Sequence, residues 1–372
     1  MEKIKVAIVF GTRPEAIKMV PLVKKMELDD RFEPLVIVTA QHREMLDQVL
    51  DYFQVTPDYD LNIMSANQTL NTITTKVLSE LEPILHKEQP NIVLVHGDTT
   101  TTFAAAIAAF YEGIKVGHVE AGLRTWDTQS PYPEEMNREA VDVIADYYFA
   151  PTDQSRQNLL MENHEDNSIF VTGNTVIDAF KYTVNGDYQN SIVQNVDFDK
   201  RVILLTMHRR ENIGKPMEDV FKAVKKLAIE NDNVEVIFPV HKNPKVRAIA
   251  DKILSGISNI HLIEPLDVFD FHNIMSKCFL VMSDSGGVQE EAPHFGIPVL
   301  VLREETERPE GIKAGTLKLV GTDYDSVYAE AEYLLKNEDA YKAMSSKKNP
   351  YGDGFASERI SDIIFQKFGD KQ

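Results

Sequence analysis

The sequence predicts an α/β protein of two successive domains, each with a mainly parallel sheet, that face a cleft. The first observation is length, because a chain of 372 residues most often forms two domains with a large buried core. The second is the alternation of short apolar runs with helical patterns, which is typical of βαβ units. The third is that this alternation restarts after the polar, turn-rich residues 185–199. We expect the join near Gly173-Asn174-Thr175.

Five strands and five helices are predicted in the first half. The strands are expected at residues 4–10, 34–39, 92–95, 116–119 and 147–150, and the helices at 15–27, 43–53, 70–87, 99–111 and 134–145. In the second half, strands are expected at 202–207, 234–240, 260–263, 279–283 and 299–303. Helices are expected there at 217–230, 244–254, 268–276 and 287–295, and a last one near 355–367 follows a turn cluster.

Composition restricts the partners and the location. The formal net charge of −19 would repel nucleic-acid backbones and anionic membranes, although a small anionic substrate stays open. The first apolar run, residues 6–10, is too short for a signal peptide, and no run reaches the roughly 18 residues of a membrane span. The single Cys278 excludes an internal disulfide and fits a reducing compartment. We therefore predict a cytoplasmic protein with no nucleic-acid or membrane partner.

The segments 96–99, 119–124 and 133–138 hold four carboxylates and two arginines after short apolar strands. Ligands of α/β proteins commonly bind at the carboxyl ends of the strands. Several acids that converge there indicate proton transfer to or from a weakly acidic atom of the ligand. Asp98 is either such an acid or only the cap of the next helix. Glu120 is the better catalytic candidate, because it lies among small and apolar residues where an idle carboxylate would be unfavourable.

The helix predicted at 134–145 begins after Pro133, a residue typical of helix starts. Helical spacing predicts an apolar stripe that faces the core, formed by Met136, Ala140, Val143, Ile144 and Tyr147. Glu134 and Arg138 would project from the opposite side. They are either an exposed ion pair of little consequence or a functional pair in which Arg138 holds Glu134 at the mouth of the cleft.

Two glycine-containing loops are candidate phosphate sites. In the first, Gly11 permits a tight turn into a helix, and Arg13 and Lys18 would add charge-assisted bonds to a diphosphate. The alternative is a plain turn with solvated basic side chains. The G-x-G-x-x-G spacing is absent, so the sequence does not support a dinucleotide fingerprint.

The second loop, residues 283–291, favours a nucleotide diphosphate more strongly. Gly286 and Gly287 would let the backbone approach a pyrophosphate, Ser285 can donate its hydroxyl, and Glu291 can accept from ribose hydroxyls. The alternative is a serine N-cap with a flexible glycine pair and surface glutamates. His208 closes the first strand of the second domain and could contact a phosphate or shuttle a proton, although most isolated histidines are structural. No zinc-ligand spacing is present in the sequence.

Taken together, these segments resemble the non-hydrolysing UDP-N-acetylglucosamine 2-epimerases of bacteria. The resemblance covers nearly the whole chain through the segments 11–15, 41–43, 96–99, 119–124, 133–138, 208–212, 283–287 and 304–310. It implies a glycosyltransferase-B-like fold of two Rossmann-like domains. Residues 1–172 would carry most catalytic carboxylates and residues 173–372 would bind UDP, with the last helix a candidate for packing back on the first domain. A homodimer without metal or cofactor is expected.

The resemblance also implies roles by position. The catalytic set would be Asp98, Glu120, Glu134, Arg138 and His208. The UDP-sugar contacts would be Arg13, Lys18, Phe271, Ser285, Gly286, Gly287, Glu291 and Arg308, with Phe271 beside the uracil. Many bacterial members are activated by their substrate in a second site, which Gln41 and His42 match. The pattern expects Gln where this chain has Glu44 and Arg where it has Asn67, so we predict weakened activation.

The implied reaction explains why acids and cations are needed. C2 of N-acetylglucosamine is not next to a carbonyl, so enolisation cannot invert it. Loss of its proton with cleavage of C1–O would expel UDP and leave a 2-acetamidoglucal, to which UDP adds back after protonation of the opposite face. The UDP-N-acetylmannosamine formed would supply cell-envelope polysaccharide synthesis. The alternatives are a retaining glycosyltransferase of the same fold, a hydrolysing epimerase and a non-catalytic UDP-sugar sensor.

Overall fold

The computed structural model describes residues 3–41, 43–65, 68–306 and 308–369, and the chain divides into two compact units. The first unit comprises Met1–Ala179 and Gly352–Gln372, and the second comprises Phe180–Tyr351. The division falls within a helix, a few residues after the boundary expected at residues 172 and 173. The C-terminal helix belongs to the first unit.

The described part of the first unit contains one sheet of seven strands. They are β1 (Ile4–Phe10), β2 (Phe32–Val38), β3 (Tyr59–Asp60), β4 (Ile92–His96), β5 (Lys115–Val119), β6 (Tyr147–Ala150) and β7 (Ile169–Val171). The helices are α1 (Arg13–Glu27), α2 (Arg43–Phe53), α3 (Leu70–Glu88), α4 (Thr100–Tyr111), α5 (Glu134–Ile144), α6 (Asp153–Met161), α7 (Thr175–Thr183), in which the division falls, and α15 (Ala356–Phe368). Residues Asp166–Ser168 form a short 3-10 helix.

All strand pairs of this sheet are parallel, in the order β3-β2-β1-β4-β5-β6-β7. Central strands such as β1 and β4 are almost wholly buried, which explains their continuous apolar sequences. The chain runs outward from β1 to β3 and returns to the other side of β1 at β4. The loops after β1 and β4 therefore leave the same edge at the point where the strand order reverses, the usual position of a ligand site.

The described part of the second unit contains a sheet of six strands, β8 (Arg201–Thr206), β9 (Val234–Pro239), β10 (Ile260–Ile263), β11 (Leu280–Ser283), β12 (Val299–Val301) and β13 (Leu317–Leu319). Its helices are α8 (Lys215–Glu230), α9 (Pro244–Leu254), α10 (Val268–Met275), α11 (Gly286–Glu291), α12 (Pro309–Ala314), α13 (Tyr324–Lys336) and α14 (Glu338–Ser345). Short 3-10 helices lie at Ser191–Val193, Arg210–Asn212 and Ala292–Phe295.

The second sheet is also parallel, in the order β10-β9-β8-β11-β12-β13, so its strand order reverses between β8 and β11. The prediction of two α/β domains with parallel sheets is confirmed. The structure adds elements that the sequence analysis did not identify, among them β7, β13, α6 and α13. None of the helices in the described ranges combines the length and apolarity that a membrane crossing requires.

Candidate functional site

Two neighbouring strands bring the predicted acids together in the first unit. His96 ends β4 and pairs in register with Val119, the last residue of β5. Asp98 follows β4 by two residues and Glu120 follows β5 directly, so both side chains leave the same edge of the sheet. Glu120 has a φ of +67°, in the left-handed region that a residue with a Cβ rarely adopts. Such a conformation persists only where surrounding contacts hold it.

The Glu120 carboxylate is held by side chains from three other segments. Its Oε1 forms an ion pair with Lys18 Nζ and accepts a hydrogen bond from Asn174 Nδ2 at 2.8 Å. Its Oε2 lies 3.7 Å from His96 Nε2. Lys18 was a predicted contact of the diphosphate, and in the structure its ammonium contacts the strongest catalytic candidate.

His96 is the first residue of the segment 96–99, and no role was predicted for it from the sequence. Its side chain is buried, and burial lowers the pKa of the imidazole to about 3. Its Nε2 is buried without a hydrogen-bond partner among the residues that the structure describes. Its position at the end of a strand, two residues before Asp98, was the signal available in the sequence.

Asp98 forms an ion pair with Arg138, which also lies 3.1 Å from Glu135 through its Nη1. The expectation that Arg138 holds Glu134 was wrong, because Arg138 is directed to Glu135 and Asp98. In the described residues, no ion pair joins Glu134 to Arg138. The alternative that Asp98 caps α4 is also wrong, because the side chain of Thr99 caps that helix.

The buried face of α5 is largely polar, and the predicted apolar stripe was wrong for Val143 and Met136, although Ile144 packs against the core. Val143 is 77% exposed and Met136 is 39% exposed, whereas Glu135, Asn137 and Asp142 are buried. These polar groups are tolerated because they have partners. Glu135 Oε1 accepts backbone N–H bonds at 2.7 and 2.8 Å, and Asn137 Nδ2 donates to the carbonyl of Asp98 at 2.9 Å. These buried polar groups therefore support the acids, while Val141 joins the core.

A largely buried charge network lies beneath the β4 loop. His118 Nδ1 contacts Asp142 Oδ1 at 2.5 Å, and its Nε2 contacts the carbonyl of Gly97 at 2.7 Å. Arg124 Nη2 binds Asp142 Oδ2 and Glu162, each at 2.6 Å. Burial alone would raise the pKa of Asp142, but the charges and hydrogen bonds of His118 and Arg124 outweigh it and lower that pKa. The network fixes the loop that carries Asp98.

The first glycine loop is organised by the buried carboxylate of Glu15. Its oxygens accept from the backbone N–H groups of Gly11 and Thr12, at 3.1 and 2.8 Å, and from Thr99 Oγ1 at 2.7 Å. Burial raises the pKa of Glu15, and these hydrogen bonds oppose the shift. Glu15 thus joins the loop after β1 to the loop after β4. Arg13 begins α1, and its guanidinium has no hydrogen bond or ion pair within the described residues.

Gln41 of the expected activator site lies close to the same loops. Its Oε1 accepts a hydrogen bond from Thr101 Oγ1 at 3.0 Å, and its carbonyl accepts one from Gln68 at 3.2 Å. Glu44 lies in the first turn of α2. His42 and Asn67, also part of that prediction, lie outside the described residues.

In the second unit, Asp284 organises the loop that carries His208. The carboxylate is fully buried and accepts from the backbone N–H groups of His208 and Arg209, at 3.1 and 2.9 Å, and from Asn212 Nδ2 at 3.0 Å. The side chain of His208 is 44% exposed, and its ring stacks on His241 with 5.6 Å between centroids. Because β8 and β11 are paired, these bonds join the two loops at the reversal of strand order.

The predicted diphosphate residues begin α11. Ser285 is the N-cap, and its hydroxyl makes no capping bond within the described residues. A Cβ added at Gly287 would meet only Glu291 Oε1 within 4 Å, at 3.5 Å, so the space above this glycine is open on the protein side. Glu291 Oε2 lies 3.6 Å from His272 Nε2. Gly287 therefore leaves open the space that the predicted diphosphate contact would need.

The other two predicted UDP-sugar residues flank this segment along the chain. Phe271 lies in α10, partly exposed, next to the buried His272. Arg308 precedes α12, and its Nε donates to the buried Glu290 at 2.9 Å. This ion pair orients the guanidinium of Arg308, and Glu290 stays buried. Among the described residues, no group of three or more His, Cys, Asp or Glu is arranged to hold a metal ion.

Comparisons with known proteins agree on one family. The family model described as UDP-N-acetylglucosamine 2-epimerase matches residues 24–365. The Bacillus subtilis UDP-N-acetylglucosamine 2-epimerase is 56% identical over 369 residues, which are 99% of this chain and 97% of the relative. The crystal structure of the UDP-GlcNAc 2-epimerase from Neisseria meningitidis bound to UDP-GlcNAc is 46% identical, with a TM-score of 0.88, and covers 97% of this chain and 100% of that one. A glycosyltransferase from Rickettsia africae, 12% identical with a TM-score of 0.62 over 98% and 99% of the chains, shares the fold alone.

Proposed function

This chain belongs to the UDP-N-acetylglucosamine 2-epimerase family, and from that premise we propose that it interconverts UDP-N-acetylglucosamine and UDP-N-acetylmannosamine. The observation that carries the proposal is the Glu120 carboxylate, fixed by Lys18 and Asn174 beside the Asp98–Arg138 ion pair. A glycosyltransferase needs no such set of acids, and a sensor that only binds UDP-sugar has no use for it. The epimerase function therefore accounts for these residues better than either alternative.

We propose that the first unit supplies the acid–base groups. A carboxylate takes the proton from C2, the C2–H electrons form the C1–C2 double bond, and the C1–O pair leaves with UDP. After a second acid protonates the opposite face of C2, a diphosphate oxygen of UDP attacks C1 and closes the cycle. Asp98, Glu120 and Glu134 are the candidates for these transfers. Arg138 orients Asp98, and Lys18 stabilises charge near Glu120.

We propose that the second unit binds UDP. The backbone at Gly286 and Gly287 and the hydroxyl of Ser285 would receive the diphosphate, and Glu291 would accept from ribose hydroxyls. Arg308 would add a cation, and Phe271 would stand beside the uracil. In the first unit, Arg13 is a further candidate for the diphosphate. Among the residues that the structure describes, none pairs with the guanidinium of Arg13 and the space above Gly287 is open, and both observations support these assignments.

His208 belongs to the proposed catalytic set as a group that contacts the leaving diphosphate. Its half-exposed ring is accessible to a ligand, and the Asp284 bonds keep its backbone fixed. The product would enter cell-envelope polysaccharide synthesis in the cytoplasm, and we propose a homodimer. Sedimentation of the purified protein tests the dimer.

Substrate activation is a separate proposal that involves Gln41 and His42. Because Glu44 and Asn67 depart from the activator pattern, substrate saturation should be less sigmoidal than in activated relatives. UDP-N-acetylmannosamine alone should also be consumed. A strict requirement for added UDP-N-acetylglucosamine would contradict this weakened activation.

The elimination scheme is tested by reaction in deuterium oxide. Reprotonation from an exchangeable carboxyl should place deuterium at C2 of the UDP-N-acetylmannosamine product. Free UDP and 2-acetamidoglucal should also accumulate slowly, because an enzyme that opens to release product sometimes loses its intermediate. Product that retains protium at C2, without any glucal, would contradict elimination even if epimerisation occurred. Release of free N-acetylmannosamine would instead indicate a hydrolysing enzyme.

A further inference from the structure

The buried Nε2 of His96 is not explained by the acid–base roles assigned above. It lies 3.7 Å from Oε2 of Glu120, and no hydrogen bond reaches it from the described parts of the chain. Buried polar atoms of native proteins nearly always have a partner. A buried imidazole left next to a catalytic carboxylate therefore needs a physical reason.

The two oxygens of Glu120 have different surroundings. Oε1 contacts Lys18 Nζ and accepts from Asn174 Nδ2 at 2.8 Å. Oε2 faces His96 and the backbone of Gly97, where an added Cβ would lie only 3.2 Å away. Cationic and amide donors thus fix one oxygen, while the imidazole and the glycine backbone determine where the second can lie.

The imidazole of His96 is neutral at neutral pH. Burial lowers its pKa to about 3, Glu120 opposes that shift, and Lys18 and His118 add to it. A neutral ring carries one N–H and one lone pair. It can therefore donate a hydrogen bond to a carboxylate without placing a second cation beside Lys18.

We propose that His96 is a positioning residue that orients Oε2 of Glu120 toward the C2 proton of the sugar. The inference rests on the proposed epimerase function. A separation of 3.7 Å is longer than a hydrogen bond, and contacts of this kind commonly shorten when substrate binds. The Nε2–H then holds one lone pair of Oε2 and directs the other to the substrate carbon. Glycine at position 97 leaves the space that this approach requires.

The test replaces His96 by Leu and by Gln in the full-length protein. His96→Leu removes the donor, whereas His96→Gln restores an amide N–H near the position of Nε2. We expect His96→Leu to lower kcat about 10- to 100-fold, as loss of one hydrogen bond to a charged group would, with KM and UDP affinity little changed. His96→Gln should recover most of the activity. His164→Gln, which alters another histidine of the same unit, should leave kcat unchanged.

The pH profile separates positioning from packing. The charged or titratable groups that face His96 are Glu120, Lys18 and His118. Loss of a donor to Glu120 should move the acid limb of kcat, which reports the enzyme–substrate complex, to higher pH in His96→Leu and back in His96→Gln. The inference would be overturned if His96→Leu kept the wild-type acid limb and a kcat within about twofold of wild type. Equal losses of kcat in His96→Leu and His96→Gln would also overturn it. His96→Met replaces the Leu variant if the latter does not fold, and a wild-type protein that fails to invert C2 would instead refute the proposed function.

Discussion

Asp284 accepts a hydrogen bond from the backbone N–H of His208, with its Oδ2 3.1 Å away, although 76 residues separate the two in sequence. The bond joins the loop after β8 to the loop after β11. In this way the loop proposed to bind the diphosphate also fixes the proposed catalytic histidine. The segment around Gly286 and Gly287 is therefore expected both to bind the diphosphate and to position His208.

Asp284→Asn should lower both stability and turnover. The carboxylate faces three N–H donors, and an amide would place its own N–H groups against some of them. We expect a loss of roughly 1–3 kcal/mol in the free energy of unfolding and a larger fall in kcat than in UDP affinity. Asp323→Ala is the control, because it removes the N-cap of α13 in the same unit and should reduce stability alone. Full turnover in Asp284→Asn would show that the loop needs no such bond.

Gly287→Asp should abolish UDP binding while the protein stays folded. The added Cβ meets only Glu291 Oε1, at 3.5 Å, so the fold can accept it, but the new carboxylate would repel a diphosphate. Calorimetry with UDP measures the effect. Gly186→Asp adds the same charge in the same unit at a position with no atom within 4 Å, and should bind UDP normally. Near-normal UDP binding by folded Gly287→Asp would exclude this phosphate site.

Glu120→Gln and Asp98→Asn should each lower turnover by about 10²–10⁴-fold, the usual contribution of a general acid or base. UDP affinity should change much less, because both residues are proposed to act on the sugar ring. Steady-state rates and calorimetry separate the two effects. If both variants kept more than about a tenth of the activity, these residues would not be the acid–base groups.

Glu134→Gln should mainly reduce turnover, whereas Glu135→Gln should mainly reduce stability. Glu135 is buried, accepts two backbone N–H bonds and contacts Arg138, so its substitution should lower stability by roughly 1–3 kcal/mol. Glu134→Gln should leave stability within about 0.5 kcal/mol and reduce turnover. Thermal unfolding and kinetics of the pair provide the comparison. Normal turnover in Glu134→Gln would remove Glu134 from the catalytic set.

Much of the fold was predictable because its strands are buried on both faces. Ile4–Phe10 was predicted as a strand with the bounds that the structure shows, since a continuous apolar run leaves few alternatives. The three residues of β7 and of β13 are too short to give a pattern of their own. They form strands because neighbours at the sheet edge pair with them.

The candidate site was harder to predict where burial depends on distant partners. Periodicity assigns apolar residues to the core, so it directed Val143 inward and left Asp142 unmentioned. In the structure, Val143 is exposed and Asp142 is buried, because His118 and Arg124 bind its carboxylate. His118 and Arg124 are 24 and 18 residues away from Asp142. No local pattern reports such pairings, and the same reason explains why Arg138 was assigned to Glu134.

The charge network of Asp142 predicts how stability depends on pH. Because His118 and Arg124 hold the pKa of Asp142 below its ordinary value of 3.8, the unfolded chain binds its proton more readily than the folded protein. The resulting stabilisation is present above about pH 4 and is lost as the pH falls through the folded pKa. Asp142→Asn should lower the unfolding temperature by several degrees at pH 7, since it leaves the buried Arg124 guanidinium without this anion, and should flatten the decline below pH 4. Asp30→Asn, which alters a fully exposed carboxylate of the same unit, should keep the wild-type profile. Thermal unfolding from pH 3 to pH 7 gives the three curves, and an equally steep acid decline in Asp142→Asn would assign that decline to other carboxylates.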